Sequence, residues 1–472
     1  MTNYSAYIEL LTREITPATG CTEPAAVALA AAAAAQILPG GMPVRVEAFV
    51  SEDIFRNGVN VIIPSSGGLR GLGIAAAIGA VRSTPELGLR ILSGLSREDI
   101  RLAERIQTEV RPIETADKVY ARVCVYGSGH MAEATVRGYH DCVTERRLDG
   151  GAAENCVSPT LPTEDSFRTV SLSDVVQFAR EVEPGALEAL RGLVDMNWAI
   201  AQEGVSGEYG ISVGRCMINQ MEKGMLSADL KNEAVAVTAA AVDARMAGCD
   251  MPVMSVAGSG NQGLTVSLPV IVAARRLGCG DDIMLRALAM GALISIHTKG
   301  YVGRLSALCG CGISAALGTC AALIYLFGGT DQQINQAINT MIAGISGMVC
   351  DGAKPGCALK VATSVSAAYQ AALLVISGSG ASEHDGIVCA DAEHSLSNLG
   401  RLGNEAMASA NRVILGLLDK NNNGGEQHDR QRAHDPHPPP RADGQNRPVR
   451  AFLGRHLQGM AGRRALPGGC QL

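Results

Sequence analysis

Cys350 and Cys357 bracket a segment broken by glycine and proline, CDGAKPGC, and Cys309 and Cys311 stand close together in LCGC. Thiolates converging from separate loops hold soft metals and iron–sulfur clusters, and neither spot has the paired C-x-x-C knuckles of a zinc ribbon. Free cysteine is also among the most buried residue types, so structural thiols are the competing reading. The turn-formers Asp351, Gly352, Pro355 and Gly356 between two cysteines bring the ligand reading level with the structural one.

A fifth cysteine stands elsewhere. In ATGCTEP, Cys21 directly precedes a helix start marked by Thr22, Glu23 and Pro24. The positive end of a helix stabilises a thiolate, so Cys21 is expected to have a lowered pKa and to serve as a base or nucleophile, with a buried inert thiol as the alternative. AGSGNQGLT (257–265) reads as a glycine-rich turn in which Ser259, Asn261 and Gln262 could cradle a carboxylate or phosphate. It has neither the Lys-Ser/Thr of a Walker loop nor the strand context of a dinucleotide fold, and an ordinary interhelical loop explains it equally well. SSGGLRG (65–71) is equally weak evidence. His130, His297, His384 and His394 stand singly, without HExxH or HxH spacing, and read as structural. No G-x-S-x-G elbow occurs, and Lys299 and Lys360, as lone lysines, read as solvated or salt-bridged.

The elements that must position these residues follow from periodicity and punctuation. Helices are predicted from about 3 to 15, from GCTEP to about 38, from about 71 to 81 and from 96 to 108. VRVEAFV (44–50) alternates as a strand, VNVIIPSSGG (59–68) is an apolar run meeting a turn, and 110–148 alternates repeatedly as a small antiparallel sheet. The loop at 150–165 marks a boundary, and helical patterns dominate from Ser171 to about 420. The fold class is therefore α+β: an N-terminal domain of helices and a small, mainly antiparallel sheet (1–165), then a mostly α-helical domain (166–423). The segment 424–472, with eight Arg, no Lys, six Pro and four His, is expected to be a disordered, atypical tail. Its abrupt change of composition suggests out-of-register translation of the gene's end, which an intact reading frame through Leu472 would disprove.

The 472 residues correspond to two to four domains at about 100–200 residues each. Apolar residues make up 47% and aromatics 3%, so Ala, Val, Leu and Ile must pack the core. A net charge of −6, with no basic face interleaved with aromatics, argues against nucleic acid and for a small-molecule ligand. The N-terminus carries Glu9, Arg13 and Glu14 within its apolar pattern, unlike a secretory signal, so the fourteen cysteines are expected to be reduced in the cytoplasm. The uncharged stretches 305–330 and 361–382 are long enough to span a membrane. Their Gly, Ala, Ser, Thr and Cys suit tightly packed soluble helices instead, so no membrane partner is expected. A homo-oligomer is compatible with the sequence.

GCTEPAAVALA (20–30), DIFRNGVNVIIPSSGGLRG (53–71), GSGNQGLT (258–265), RLSALCG (304–310) and GMVCDGAKPGCALK (347–360) together resemble the L-cysteine desulfidase family, a group related to the α chain of iron–sulfur-dependent L-serine dehydratases. The resemblance spans roughly 1–420 with the motifs in order. It implies a 4Fe-4S cluster held by Cys309, Cys350 and Cys357, with one iron open for a small amino-acid substrate and Cys21 as proton acceptor. Cys311 has no role in that pattern, and a fourth nearby thiolate could close the open iron. Thr22, Ser259 and Asn261 are the expected substrate contacts. The implied activity is a cytoplasmic lyase converting L-cysteine to sulfide, ammonia and pyruvate.

The chemistry is consistent with that implication. Elimination across Cα–Cβ of an amino acid needs an electron sink or a Lewis acid, and an open iron is a Lewis acid. L-serine dehydratase is the nearest alternative, and a pyridoxal phosphate lyase is a third. A cluster- or metal-binding sensor is the non-enzymatic reading, in which Cys311 would ligate and Cys21 would be dispensable.

Overall fold

The computed structural model describes residues 4–156 and 170–425. It begins with α1 (Ser5–Glu14), the short strand β1 (Pro17–Ala18) and α2 (Thr22–Ile37). Alanine dominates α2, and its first thirteen residues are all buried. An apolar surface on every side makes α2 the central rod of the N-terminal half rather than an amphipathic cover. Around it stand β2 (Arg45–Ser51), α3 (Glu52–Gly58), α4 (Leu72–Arg82), α5 (Arg97–Ala103), β3 (Gln107–Ile113), β4 (Tyr120–Gly127), β5 (His130–Arg137), β6 (Val143–Leu148) and β7 (Glu154–Asn155).

The six-stranded sheet runs in the order β3-β2-β4-β5-β6-β7. Only β2 and β3 are parallel, with Arg45 opposite Gln107; every other pairing is antiparallel. The hairpin between β4 and β5 turns on Ser128 and Gly129, both left-handed at φ 52° and 81°, as a two-residue primed turn requires. One face of the sheet packs on α2, and Val46, Ala48, Val50, Val123, Val125, Ala134 and Val136 share its core.

Three expectations are corrected here. The helix from Ser96, opened by a capping box with Asp99, stops at Ala103. The residues that should have continued it form β3, because the open edge of β2 supplies a full backbone ladder that an exposed helix end could not match. The short helix α3 was not foreseen before VNVIIPSSGG; Ser51 caps it by accepting from the Ile54 amide. The expected boundary loop carries β7, and its residues from 157 onward, like the tail beyond 425, lie outside the described residues.

The second half is helical, as expected: α6 (Leu172–Glu181), α7 (Arg191–Ser206), α8 (Val213–Glu222), α9 (Leu230–Met246), α10 (Gly260–Leu277), α11 (Asp281–Val302), α12 (Ser314–Leu326), α13 (Asp331–Ile345), α14 (Cys357–Ile376), α15 (Ala392–Arg401) and α16 (Ala408–Gly425), with the two-residue strand β8 (Val253–Met254) between α9 and α10. Of the two uncharged stretches, the first yields only the thirteen-residue α12, buried throughout. Within the described residues α14 is the one helix long and apolar enough to cross a membrane, and part of it is covered by its neighbours.

Glu393 of α15 ties three helices together. It accepts from His297 and Tyr301 of α11 and from the Leu172 amide at the start of α6. Burial alone would raise its pKa, but these hydrogen bonds outweigh burial and hold it at about 2. A carboxylate depressed in the fold contributes stability above its unfolded pKa and loses it as pH falls through the folded value. Glu393→Gln should therefore remove about 2–3 kcal/mol at neutral pH and flatten the loss of stability between about pH 4.5 and 2, as read by denaturant titration. An unchanged acid limb would contradict this.

Candidate active site

The two halves are stitched together beside Cys21. β1 pairs antiparallel with β8, Pro17 opposite Met254, and the Ser255 and Ala257 amides continue the contact by donating to Thr16 and Glu14 carbonyls. Cys21 is thereby brought beside the 257–259 turn although more than 230 residues separate them. A buried ion pair, Glu14–Arg304 at 2.9 Å, adds the segment before Cys309 to the same region, with the Arg304 guanidinium over the Tyr139 ring at 4.1 Å. Removing Glu14 would leave the buried Arg304 guanidinium without its carboxylate, a change that typically costs about 3–5 kcal/mol, whereas Glu14 would keep Arg13 at 3.2 Å if Arg304 were removed.

One cavity lies at this junction. Cys21, Thr22, Ser259, Asn261, Cys309, Cys350 and Cys357 all line it, and Cys311 does too. Antiparallel backbone pairing explains the meeting of two thiols: the Cys309 amide donates to Met348 O at 2.9 Å and the Cys350 amide to Ala307 O at 2.7 Å. Cys357 is the first residue of α14, one turn beyond the bend at Gly352. That bend needs glycine twice over, since its φ is +95° and a Cβ there would lie 2.4 Å from Arg56 O. Gly312 is required by space alone: a Cβ would fall 2.2 Å from Met348 Sδ and 3.2 Å from Cys309 Sγ.

The thiols form one electrostatic set. Cys311 lies 3.5 Å from Cys309, and its hydrogen bond is the largest influence on Cys309, which sits at about 7. The Gly312 amide, Lys360 and Lys299 assist against burial. Donating that bond, burial and the neighbouring thiols push Cys311 well up, while burial and Cys309 raise Cys350 and bring Cys357 to about 11. Among the described residues no three His, Cys, Asp or Glu groups converge as a single ion would need. Ligands on one ion bonded at about 2.3 Å crowd within about 4 Å of one another, whereas a cluster offers each thiolate its own iron and wider spacing.

Cys21 occupies the N-cap of α2, as the motif predicts, but its thiol is not activated by that position. Burial, followed by the Glu23 carboxylate, pushes it well above its ordinary value, with Arg245 acting the other way. Cys21 Sγ donates to Glu23 Oε2 at 2.8 Å, and Asn57 Nδ2 donates to Glu23 Oε1 at 3.2 Å. Burial would raise Glu23, yet His140, the Cys21 hydrogen bond and Arg245 together hold it below the usual carboxylate range. Asn57 also accepts from Cys350 Sγ at 3.7 Å, so one amide spans the Cys21–Glu23 pair and a cysteine of the thiol set. Arg56, its side chain fully buried, anchors α3 by pairing with Asp53 at 2.9 Å and donating to Ser306 O at 3.1 Å.

The three expected substrate contacts are adjacent, but two are engaged with the protein. Thr22 Oγ1 donates to Gly258 O at 2.9 Å, and Asn261 Oδ1 accepts from Arg245 Nη1 at 2.8 Å. Asn261 is not in a turn, because α10 already begins at Gly260 with Ser259 as its N-cap. Ser259 makes no side-chain cap bond, and Gln262 Oε1 is buried without a partner among the described residues. Lys360 is salt-bridged to Asp351 as expected, whereas Lys299 is buried rather than solvated; both line the cavity, with Arg245 and Arg304. Of the singly standing histidines, His297 is buried against Glu393 as a structural residue, His130 meets Asp149 at 2.7 Å, and His384 and His394 are exposed, the latter meeting Asp391 at 2.9 Å. Sequence reasoning missed Glu23, Asn57 and Arg245 as working members of the site, and it missed His140 altogether. Glu23 and Asn57 at least stood inside the quoted motifs.

The sequence profile of the serine dehydratase alpha chain matches residues 87–416. A UPF0597 protein of Oleidesulfovibrio alaskensis is 41% identical over 426 residues, covering 88% of this chain and 98% of the relative. UPF0597 proteins of Clostridioides difficile and Alkaliphilus oremlandii are 38% and 39% identical, covering 88% and 87% of this chain and 99% and 97% of theirs. A profile match across most of the chain, together with near full-length relatives, shows that this protein belongs to the serine dehydratase alpha chain family.

Proposed function

We propose that the protein is an L-cysteine desulfidase, a lyase that eliminates the β-substituent of a small α-amino acid. The observation that carries the proposal is the presence of Cys21 and of Cys309, Cys350 and Cys357 on the wall of a single buried cavity. The donor set fits a 4Fe-4S cluster: three soft sulfur ligands from two chain segments, with Lys299 and Lys360 beside them to balance thiolate charge. Cys309, Cys350 and Cys357 would hold the cluster. When bound it supplies a Lewis acid for the leaving group and carboxylate.

The protein's own residues account for the remaining requirements. The cationic lining by Lys299, Arg304 and Arg245 favours an anionic carboxylate, and Gln262 Oε1 is an open acceptor for an ammonium group. Cys21 Sγ, as thiolate, takes the Cα proton, and the Cβ–S bond breaks with its electron pair on sulfur. The 2-aminoacrylate that results tautomerises and takes up water, giving pyruvate and ammonia. Burial of the cavity excludes bulk water from the carbanionic stage.

L-serine, with hydroxide in place of sulfide as leaving group, is the second reading, favoured by the alpha-chain profile. Anaerobically purified full-length protein, assayed side by side on both amino acids, decides between them. Sulfide and pyruvate from L-cysteine at the higher kcat/KM are expected; preference for L-serine would transfer the assignment, and turnover of neither would end both.

A further inference from the structure

We propose that His140 is a positioning residue for Cys21: it takes up the proton that Cys21 must release, so that a thiolate can form beside Glu23 without unbalancing the charge of the buried site. The inference rests on the reading of Cys21 as the base. His140 is 2% exposed, and neither ring nitrogen has a hydrogen-bond partner among the described residues. Buried histidines ordinarily have at least one partner, so an imidazole with two open nitrogens calls for an explanation.

Its location supplies one. The ring packs against Gly258, where a Cβ would lie 3.1 Å from Nδ1. Gly258 lines the cavity, its carbonyl accepts from Thr22, and Thr22 Oγ1 lies 3.2 Å from Glu23 Oε2, the atom that receives the Cys21 hydrogen bond. With Cys21 as thiol, the Glu23 carboxylate is balanced by Arg245. Ionising Cys21 sets two buried anions against that one cation, which a low-dielectric interior resists. A proton on His140 restores the balance.

Burial acts most strongly on the ring and holds its pKa below the ordinary imidazole value. Burial favours the neutral imidazole, Arg304 and Lys299 support it, and Glu23 and Asp141 favour the protonated form. In the transfer, the proton leaves Cys21 Sγ and ends on a ring nitrogen of His140; no other bond changes and no electron moves. After elimination Cys21 holds the former Cα proton, and the proton released from His140 balances the one that the departing sulfide takes up, so both groups return to their starting state.

The test uses the full-length chain carrying His140→Gln or His140→Asn, each of which keeps a hydrogen-bonding group where one ring nitrogen stood. Iodoacetamide labelling of Cys21 against pH, read on its peptide by mass spectrometry, should shift upward by about one pH unit or more in both variants. The thermal midpoint should change little, and the rising limb of kcat/KM on L-cysteine should move the same way. An unmoved Cys21 labelling profile in a folded variant overturns the inference, whatever the enzyme turns over. If labelling shifts but the wild type turns over no amino acid, the desulfidase reading fails and the inference stands. If neither variant folds, C2-hydrogen exchange of His140 in the wild type and in Cys21→Ser decides. Loss of the thiolate should lower the His140 midpoint, and equal midpoints overturn the proposal.

Discussion

Cys21→Ala is expected to reduce elimination by about 10³-fold or more while leaving the iron and sulfide content of the protein intact. The substitution removes the thiol that donates to Glu23 and leaves Cys309, Cys311, Cys350 and Cys357 in place. It removes one small buried group, so the fold should survive with a loss of about 1 kcal/mol. Cys21→Ser provides the sharper comparison: it preserves a hydrogen bond to Glu23 but replaces the thiol with a hydroxyl, whose pKa is far too high for a base near neutrality. Both variants should therefore be inactive and brown. Loss of colour in Cys21→Ala would show that Cys21 supports the cluster, and activity near that of the wild type would remove it from the chemistry.

The second large effect belongs to the thiols across the cavity. Cys309→Ala, Cys350→Ala and Cys357→Ala should each abolish activity and most of the bound iron, whereas Cys311→Ala should keep both cluster and turnover. Anaerobic analysis of the wild type should give about four iron and four sulfide per chain. Cys311 makes this a strict comparison: it lies 3.5 Å from Cys309, lines the same cavity and is equally buried, yet its thiol is pushed up because it donates to Cys309. A Cys311→Ala protein as empty as Cys309→Ala would mean four ligands and no open iron, which favours a sensor over a lyase. Zinc without sulfide in the wild type would remove the cluster altogether.

Some of this site was legible in the sequence. The cysteines, the turn-formers between Cys350 and Cys357, and the helix start after Cys21 are local features, and each stands as expected. The protonation of Cys21 was not. A helix terminus contributes about 0.3–1 kcal/mol to stabilising an anion, whereas complete burial can move a pKa by about 3–5 units, so burial beside Glu23 prevails over the helix dipole. Periodicity likewise over-ran at Ser96–Thr108, because the edge of β2 is a partner that only the folded chain presents. Thr22 and Asn261 were found by residue type and proximity, but residue type does not reveal that Gly258 and Arg245 already engage them.

What the sequence by itself determined is the stock of chemistry and its local framing: soft sulfur donors, chain breaks beside them, an alanine-rich rod and an α+β half followed by a helical half. Those properties depend on neighbours within a few positions, which is the range over which turns, caps and amphipathic patterns act. The tertiary structure decided how residues 21, 57, 309 and 350 come to line one cavity, because β1 meets β8 and the backbone of 307–309 pairs with that of 348–350. It also decided their protonation. A pKa is set by desolvation and by charges close in space; beside the near neighbours Glu23 and Asp141, Arg245 acts on Cys21, and Glu23, Arg304 and Lys299 act on His140, from segments more than a hundred residues away.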